Sequence, residues 1–138
     1  MSLFTYPIKV NASHIDRLNH VNNEVYLKWL LEAASAHSSS LGYGMERYLK
    51  EGACFVVRRH EIEYLASAYL DEELVVETWI KDIAGARSTR GYRIKRVKDQ
   101  KELITAQTLW VYISMKTGRP LEIPAHMIQD FQQALLET

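Results

Sequence analysis

The chain has 138 residues, of which 47% are hydrophobic and 25% charged, and its 17 basic residues balance 17 acidic ones. This composition predicts one globular domain with a real core, and it gives no support for a protein that binds nucleic acid or an anionic membrane surface. No segment approaches the ~20 apolar residues of a membrane span, and the first residues lack the pattern of a signal peptide, so we expect a soluble cytoplasmic protein.

A strand and a polar loop precede the first helix. Residues 5–12 alternate apolar and polar side chains, with Pro7 near the start, which predicts a strand. The following loop carries Asp16 and His20 among turn-forming asparagines, and Asn22 is a typical N-cap residue. An acid and an imidazole beside the unpaired N–H groups of a helix start could bind or activate a polar ligand.

The segment from residue 23 to about residue 41 predicts a helix that needs cover on most of its circumference. Its polar residues recur every three or four positions and form one narrow stripe: Glu24, Lys28, Glu32, Ser35 and Ser39. The remaining surface is apolar, and it is wider than the apolar face of an ordinary surface helix. Gly42 and Gly44 then end this helix, and residues 45–50 predict a short second helix.

After Gly52 the sequence takes a period of two, which predicts four further strands. These predicted strands span residues 53–65, 73–84, 87–98 and 103–116. Their connections are too short for the crossovers that parallel neighbours need, so we expect one antiparallel sheet. A final amphipathic helix is predicted after Pro124, with an apolar stripe that consists of Ile128, Phe131 and Leu135.

Together these elements predict an α+β fold in which a curved antiparallel sheet wraps around the long first helix. The last long strand carries apolar residues on both faces, with Trp110 and Tyr112 on one of them. This pattern indicates that another subunit covers part of the outer face of the sheet.

Two groups of residues with reactive side chains are interpreted as neither a metal site nor a cysteine nucleophile. His14, Asp16 and His20 could be imagined as metal ligands, but two histidines and one carboxylate on a loop are a weak metal signal. Cys54 is the single cysteine, which excludes an intramolecular disulfide. Its apolar neighbours predict a buried small side chain rather than a nucleophile.

The loop and the start of the long helix resemble the signature of hotdog-fold acyl thioesterases. The resemblance is carried by Asp16-Arg17-Leu18-Asn19-His20-Val21-Asn22-Asn23-Glu24-Val25-Tyr26, then Trp29 and Glu32-Ala33. It is specifically a resemblance to the 4-hydroxybenzoyl-CoA thioesterase-like group, which is related to acyl-ACP thioesterases, and it extends over nearly the whole chain. It implies one hotdog domain over residues 1–138, with a five- or six-stranded sheet around a central helix and a C-terminal helix.

The resemblance implies an acyl-CoA thioesterase that hydrolyses a thioester to free acid and CoA without a cofactor. In that group, the acid at the position of Asp16 acts as nucleophile or general base, and a backbone N–H at about Asn23 polarises the thioester carbonyl. Both roles make physical sense, because a carboxylate can attack or activate water and a helix N-terminus stabilises an oxyanion. The family forms homodimers that join their sheets, often homotetramers, and the reaction occurs at the dimer interface.

The sequence departs from two patterns found in related enzymes. One departure bears on the role of His20 and the other on the type of reaction. Plant-type enzymes place an asparagine two residues after the acid, where this chain has Leu18, so the role of His20 as a third catalytic residue stays open. Hydratases of the same fold require Asp-x-Asn-x-x-x-His, and Leu18 and Asn22 break that pattern. The alternative function is a non-hydrolytic hotdog module that binds acyl-CoA or acyl carrier protein.

Four further residues are candidates for substrate binding. Asn22 and Tyr26 lie at the start of the helix, and each has a structural alternative, as helix cap and as core residue. Arg87 and Arg90 lie on the strand that the family commonly uses to contact CoA, whose phosphates suit arginine. The alternative for this pair is a solvated strand face.

Overall fold

The computed structural model describes residues 3–134. Five strands form one antiparallel sheet: β1 (Phe4–Lys9), β2 (Ala53–Tyr64), β3 (Glu73–Ala84), β4 (Arg87–Arg96) and β5 (Glu102–Ser114). Within these residues the helices are α1 (Asn23–Ser40), α2 (Met45–Glu51) and α3 (Ala125–Phe131), with 3-10 turns at Ala12–His14 and Gln132–Ala134. The strand order is β1-β3-β4-β5-β2, so β1 and β2 are the edges of the sheet.

The predicted α+β architecture is confirmed, and the differences lie at element ends. β1 stops at Lys9 rather than near residue 12, because the Asn11 side chain accepts a hydrogen bond from Ser13 N–H and caps a 3-10 turn. Phe131 of the predicted C-terminal stripe is buried, whereas Leu135 lies outside the described residues. None of the helices within residues 3–134 is long and apolar enough to cross a membrane.

The main core lies between α1 and the sheet. Five buried α1 residues face the strands: Tyr26, Trp29, Leu30, Ala33 and Ala34. They pack against buried residues of the sheet and its loops: Val10, Leu74, Val76, Tyr92, Ile94, Leu103 and Ile104. Each large apolar side chain buried in this way contributes about 1.5–3 kcal/mol. On the opposite side of α1, Leu27 and Leu31 are only half-buried. A single chain therefore covers only part of the apolar circumference that the sequence predicts to be buried.

A second core joins the end of α1 to the two short helices. Its buried members are Tyr43, Ala53, Ile80, Tyr112, Ile123, Met127, Phe131 and Ala134. The Tyr43 hydroxyl donates to Asp130 on α3, and the Arg47 guanidinium of α2 lies 4.3 Å from the centre of the Tyr43 ring. These contacts hold α2 and α3 against Tyr43, just beyond the end of α1.

The part of the outer face around Trp79 is polar and ion-paired. Arg93 and Lys95 pair with Glu77 at 2.8 and 3.5 Å, and the Arg93 guanidinium lies 5.1 Å from the Trp79 ring centre. Trp79 lies so close to Gly91 that a Cβ there would meet the ring at 2.5 Å, so any larger residue at this position would displace the Trp79 ring. The expectation that another subunit covers the outer face stays a prediction.

Candidate active site

The loop between β1 and α1 holds Asp16 in a tight backbone frame. Ile15 and Val21 form an isolated antiparallel bridge on either side of it. The Asp16 N–H donates to the His20 carbonyl at 3.0 Å, and the Asn19 N–H donates to the Asp16 carbonyl at 3.1 Å. Asn19 has a φ of 65°, in the left-handed region that asparagine tolerates. This frame fixes Asp16 just ahead of α1.

The Asp16 carboxylate has one oxygen engaged and one available. Oδ1 accepts a hydrogen bond from the Leu18 N–H at 2.8 Å, which forms an Asx turn. Oδ2 lies 3.7 Å from His20 Nδ1, which is too long for a direct hydrogen bond. The Asp16 and His20 side chains are 27% and 28% exposed, so solvent reaches both. The predicted acid and imidazole are therefore side by side.

The first turn of α1 presents an unpaired N–H group beside this loop. Asn22 caps the helix as expected, since its Oδ1 accepts from Glu24 N–H and its carbonyl accepts from Val25 N–H, both at 3.0 Å. The Asn23 N–H has no acceptor within residues 3–134. Because a helix N-terminus carries partial positive charge, this N–H is suited to an anionic oxygen.

Tyr26, a candidate for substrate binding, lies in the interior. It is 2% exposed, and its hydroxyl accepts a hydrogen bond from the Ala68 N–H at 2.9 Å. Burial raises the pKa of its phenol above the ordinary value. Tyr26 thus ties α1 to the segment between β2 and β3.

His14 serves the turn before Asp16. Its Nδ1 accepts a hydrogen bond from the Asn11 N–H at 3.0 Å, and its ring meets the Trp29 ring edge-on with centres 5.0 Å apart. With one ring nitrogen engaged by the backbone, His14 acts as a structural residue in this loop.

A cavity of about 490 Å³ lies beside the second half of α1. Its apolar lining comes from α1, α2, three strands and α3: Leu31, Ala34, Tyr43, Met45, Tyr48, Phe55, Val57, Ile80, Trp110 and Phe131. Cys54, predicted to be a buried small side chain, is half-buried and also lines this cavity. The α1 residues in its wall run from Leu31 to Ser39, which are about 12 and 24 Å along the helix axis from Asn23. Within one chain, Asp16 therefore precedes the start of α1 and this cavity lies along its second half.

The two arginines predicted as a pair occupy different environments. Arg87 is exposed at the start of β4. Arg90 is 7% exposed and lines the cavity, where its Nη1 donates to His37 Nδ1 at 2.8 Å and to Thr78 Oγ1 at 3.1 Å. The Arg90 side chain is thus on the inner face of the sheet, and the alternative of a solvated face does not apply to it.

Sequence reasoning missed His37, the histidine that contacts Arg90. It is 5% exposed, and its ring stacks on Phe4 with centres 4.7 Å apart. The spacing of Leu30, Ala33 and His37 places all three on the buried face of α1, and this spacing was the available signal.

The environment of His37 predicts a pH-dependent stability. Burial, then the charge of Arg90, lower the pKa of His37 from 6.5 to about 4. Between these values the unfolded chain binds a proton that the folded chain does not, so stability should fall as the pH falls through this window. His37→Gln keeps a neutral acceptor but cannot take up this proton. Between these pH values, the free energy of unfolding should therefore change less steeply with pH, by up to about 1.4 kcal/mol per pH unit.

Urea titrations of both proteins at several pH values measure this slope. At pH values above the ordinary histidine pKa, the free energies of unfolding of the two proteins should change with pH in parallel. Equal slopes inside the window would contradict a neutral, buried His37.

Known proteins similar to this chain agree with the fold. A family model described as the thioesterase-like superfamily matches residues 10–135. The acyl-CoA thioester hydrolase YbgC from Escherichia coli is 25% identical over 132 residues, which cover 96% of this chain and 98% of YbgC. The predicted resemblance to a thioesterase family is thereby confirmed.

Two solved structures show the same fold. The 1,4-dihydroxy-2-naphthoyl-CoA thioesterase Slr0204 from Synechocystis has a TM-score of 0.84 at 23% identity, over 97% of this chain and 96% of Slr0204. SAV2348 from Staphylococcus aureus, solved in complex with CoA, has a TM-score of 0.89 at 18% identity, over 99% of this chain and 88% of SAV2348. The hotdog architecture is confirmed, and the chain belongs to the thioesterase-like superfamily.

Proposed function

We propose that the protein is an acyl-CoA thioesterase, which hydrolyses an acyl-CoA to the free acid and CoA. The observation that carries the proposal is a solvent-accessible Asp16 carboxylate on the loop that leads directly into α1, where the Asn23 N–H is unpaired within residues 3–134. The similarity to YbgC, an acyl-CoA thioester hydrolase, supports the reaction, and the likeness to a fold solved with CoA is consistent with the substrate.

In the general-base route, Asp16 takes a proton from water while the water oxygen attacks the thioester carbonyl carbon. The carbonyl oxygen becomes an oxyanion and accepts a hydrogen bond from the Asn23 N–H. The C–S bond then breaks, and the CoA sulfur takes the proton back from Asp16. His20, whose Nδ1 lies 3.7 Å from Asp16 Oδ2, is suited to orient the carboxylate or the water.

In the nucleophilic route, Asp16 Oδ2 attacks the carbonyl carbon directly. CoA leaves, and a mixed anhydride forms between the acyl group and Asp16. Water then hydrolyses the anhydride to the free acid, which restores the carboxylate, and the proton that this step releases goes to the CoA thiolate. The Asn23 N–H serves as oxyanion donor in both routes, with Asn22 holding the first turn of α1 in place.

The proposed substrate site combines two copies of the chain, since within one chain Asp16 precedes the start of α1 and the cavity lies along its second half. Of the two sheet edges, β1 has six residues and contains Pro7, which cannot donate a backbone hydrogen bond. β2 is a 12-residue edge on which Val56 and Val57 are 39% and 40% exposed. A long edge with exposed apolar residues is a typical site for pairing with another chain.

A homodimer joined along β2 would complete the site. Two-fold symmetry about an axis normal to the joined sheets makes the two α1 helices run in opposite directions. The start of one α1, with Asp16, then approaches the end of the other α1. The cavity borders β2 through Cys54, Phe55 and Val57, so it lies on the side where the partner would arrive.

CoA binding is expected outside the acyl cavity. Arg87 is exposed, and among residues 3–134 no carboxylate forms an ion pair with it. Its guanidinium is therefore available for a CoA phosphate.

A panel of short, medium and aromatic acyl-CoAs with detection of released thiol tests the proposed reaction. We expect release from at least one class. Binding of acyl-CoA, seen as a higher melting temperature, without any thiol release would instead identify the non-hydrolytic binding module.

A further inference from the structure

Arg90 is a buried cation without a carboxylate partner. It is 7% exposed, and both of its side-chain contacts, His37 and Thr78, are made by Nη1 alone. Within residues 3–134 no carboxylate lies at ion-pairing distance from Arg90, and its Nε and Nη2 form no hydrogen bond. One Nε/Nη2 fork of the guanidinium is therefore unused.

The other cations in the second half of β4 are paired. Arg93 and Lys95 contact Glu77 at 2.8 and 3.5 Å, and Arg96 contacts Glu72 at 2.8 Å. These three side chains are between 15% and 30% exposed, so water could solvate them even without a partner. The free energy cost of an unpaired charge is largest where water is excluded, which is at Arg90.

The cavity offers Arg90 no partner from its own wall. The Ser38 hydroxyl donates to the Tyr43 carbonyl at 2.7 Å and lies 3.1 Å from the Tyr48 hydroxyl. The Ser88 hydroxyl donates to the Asp82 carbonyl at 3.1 Å. The remaining lining is mainly apolar, and the volume of about 490 Å³ is in the range of small-molecule sites. A complementary ligand is therefore apolar along its length and carries one anionic group.

We propose that this cavity receives the acyl chain and that Arg90 binds a carboxylate at its far end, so that the preferred substrates are ω-carboxyacyl-CoA thioesters. The proposal rests on the proposed thioesterase function and names its substrate class. The free Nε/Nη2 fork can donate two parallel hydrogen bonds to one carboxylate. Thr78 and His37 hold Nη1 and so fix the orientation of that fork.

Matched substrate pairs test the proposal on the wild-type protein. Adipyl-CoA is compared with hexanoyl-CoA, and suberyl-CoA with octanoyl-CoA, so that each pair differs only at the chain end. We expect kcat/KM to be at least about 10-fold higher for the carboxylated member. An equal or lower value would overturn the proposal while leaving the thioesterase function intact.

Arg90→Met and Arg90→Lys locate the effect, and Arg93→Met is the matched control on the outer face. The preference for the carboxylated member should fall at least about 10-fold in Arg90→Met, recover in part in Arg90→Lys and persist in Arg93→Met. An unchanged preference in folded Arg90→Met would overturn the proposal. An equal loss for both members, together with loss of the wild-type preference for CoA over dephospho-CoA, would assign Arg90 to the CoA phosphate and also overturn it.

Equilibrium binding separates this inference from the catalytic proposal. By calorimetry with thioether analogues that cannot be hydrolysed, wild type should bind the adipyl form more tightly than the hexanoyl form, and Arg90→Met should lose that difference. This result would support the anion site even if no thioester were hydrolysed. Equal affinities in wild type would refute it, whether or not Arg90→Met folds.

Discussion

Asp16→Asn should lower kcat for acyl-CoA hydrolysis by at least about 100-fold, since it removes the proposed base or nucleophile. The substitution keeps an oxygen that can accept the Leu18 N–H, so the Asx turn should persist. The side chain is 27% exposed, and we expect the melting temperature to change little. Steady-state thiol release and thermal unfolding of the same preparations measure both effects.

Asp82→Asn is the matched control for this substitution. Asp82 is an exposed aspartate of β3, and within residues 3–134 only its backbone carbonyl, not its carboxylate, forms a hydrogen bond with another side chain, that of Ser88. We therefore expect near wild-type turnover from this variant. Near-normal turnover in folded Asp16→Asn would rule out the proposed mechanism, whereas a shared loss in both variants would point to a general effect of lost negative charge.

The success of the fold prediction follows from local sequence signals. β3 begins at Glu73 and ends at Ala84 as predicted, because turn-forming residues flank a clear alternation on both sides. α1 was predicted from its cap at Asn22 and from the glycines beyond its end. Where a side chain competes with the strand for backbone hydrogen bonds, as Asn11 does after β1, periodicity alone set the boundary too far along the chain.

Part of the candidate site is likewise encoded in the local sequence, and part depends on contacts between distant residues. Asp16 and Asn23 are seven residues apart, and their relation is set by one turn and one helix cap that the local sequence encodes. Arg90 meets His37 and Thr78 across 53 and 12 residues of chain. That meeting depends on the β-bulge between Ile80 and Asp82, which shifts the register of β3 on β4, and on the packing of α1 over the sheet.

The second large effect should come from Val56→Glu on the free edge of the sheet. In a dimer joined along β2, this change places a charge from each protomer near the interface, where desolvation and mutual repulsion oppose association. Since Val56 is 39% exposed in the single chain, we expect the protomer itself to remain folded. Light scattering should show monomers, and hydrolysis should fall by at least about 10-fold because the proposed site combines Asp16 of one copy with the cavity of another.

Val56→Thr is the matched control, since it keeps the branched shape without a charge and should remain a dimer with near wild-type turnover. A Val56→Glu protein that stays dimeric and active would exclude β2 as the joining edge. A fully active monomer would exclude the shared site, and Asp16 would then have to act on a substrate whose acyl chain lies outside the cavity. Loss of both association and activity, with the fold retained, is the result that supports a shared site, in which Asp16 of one protomer acts beside the β2 edge of its partner.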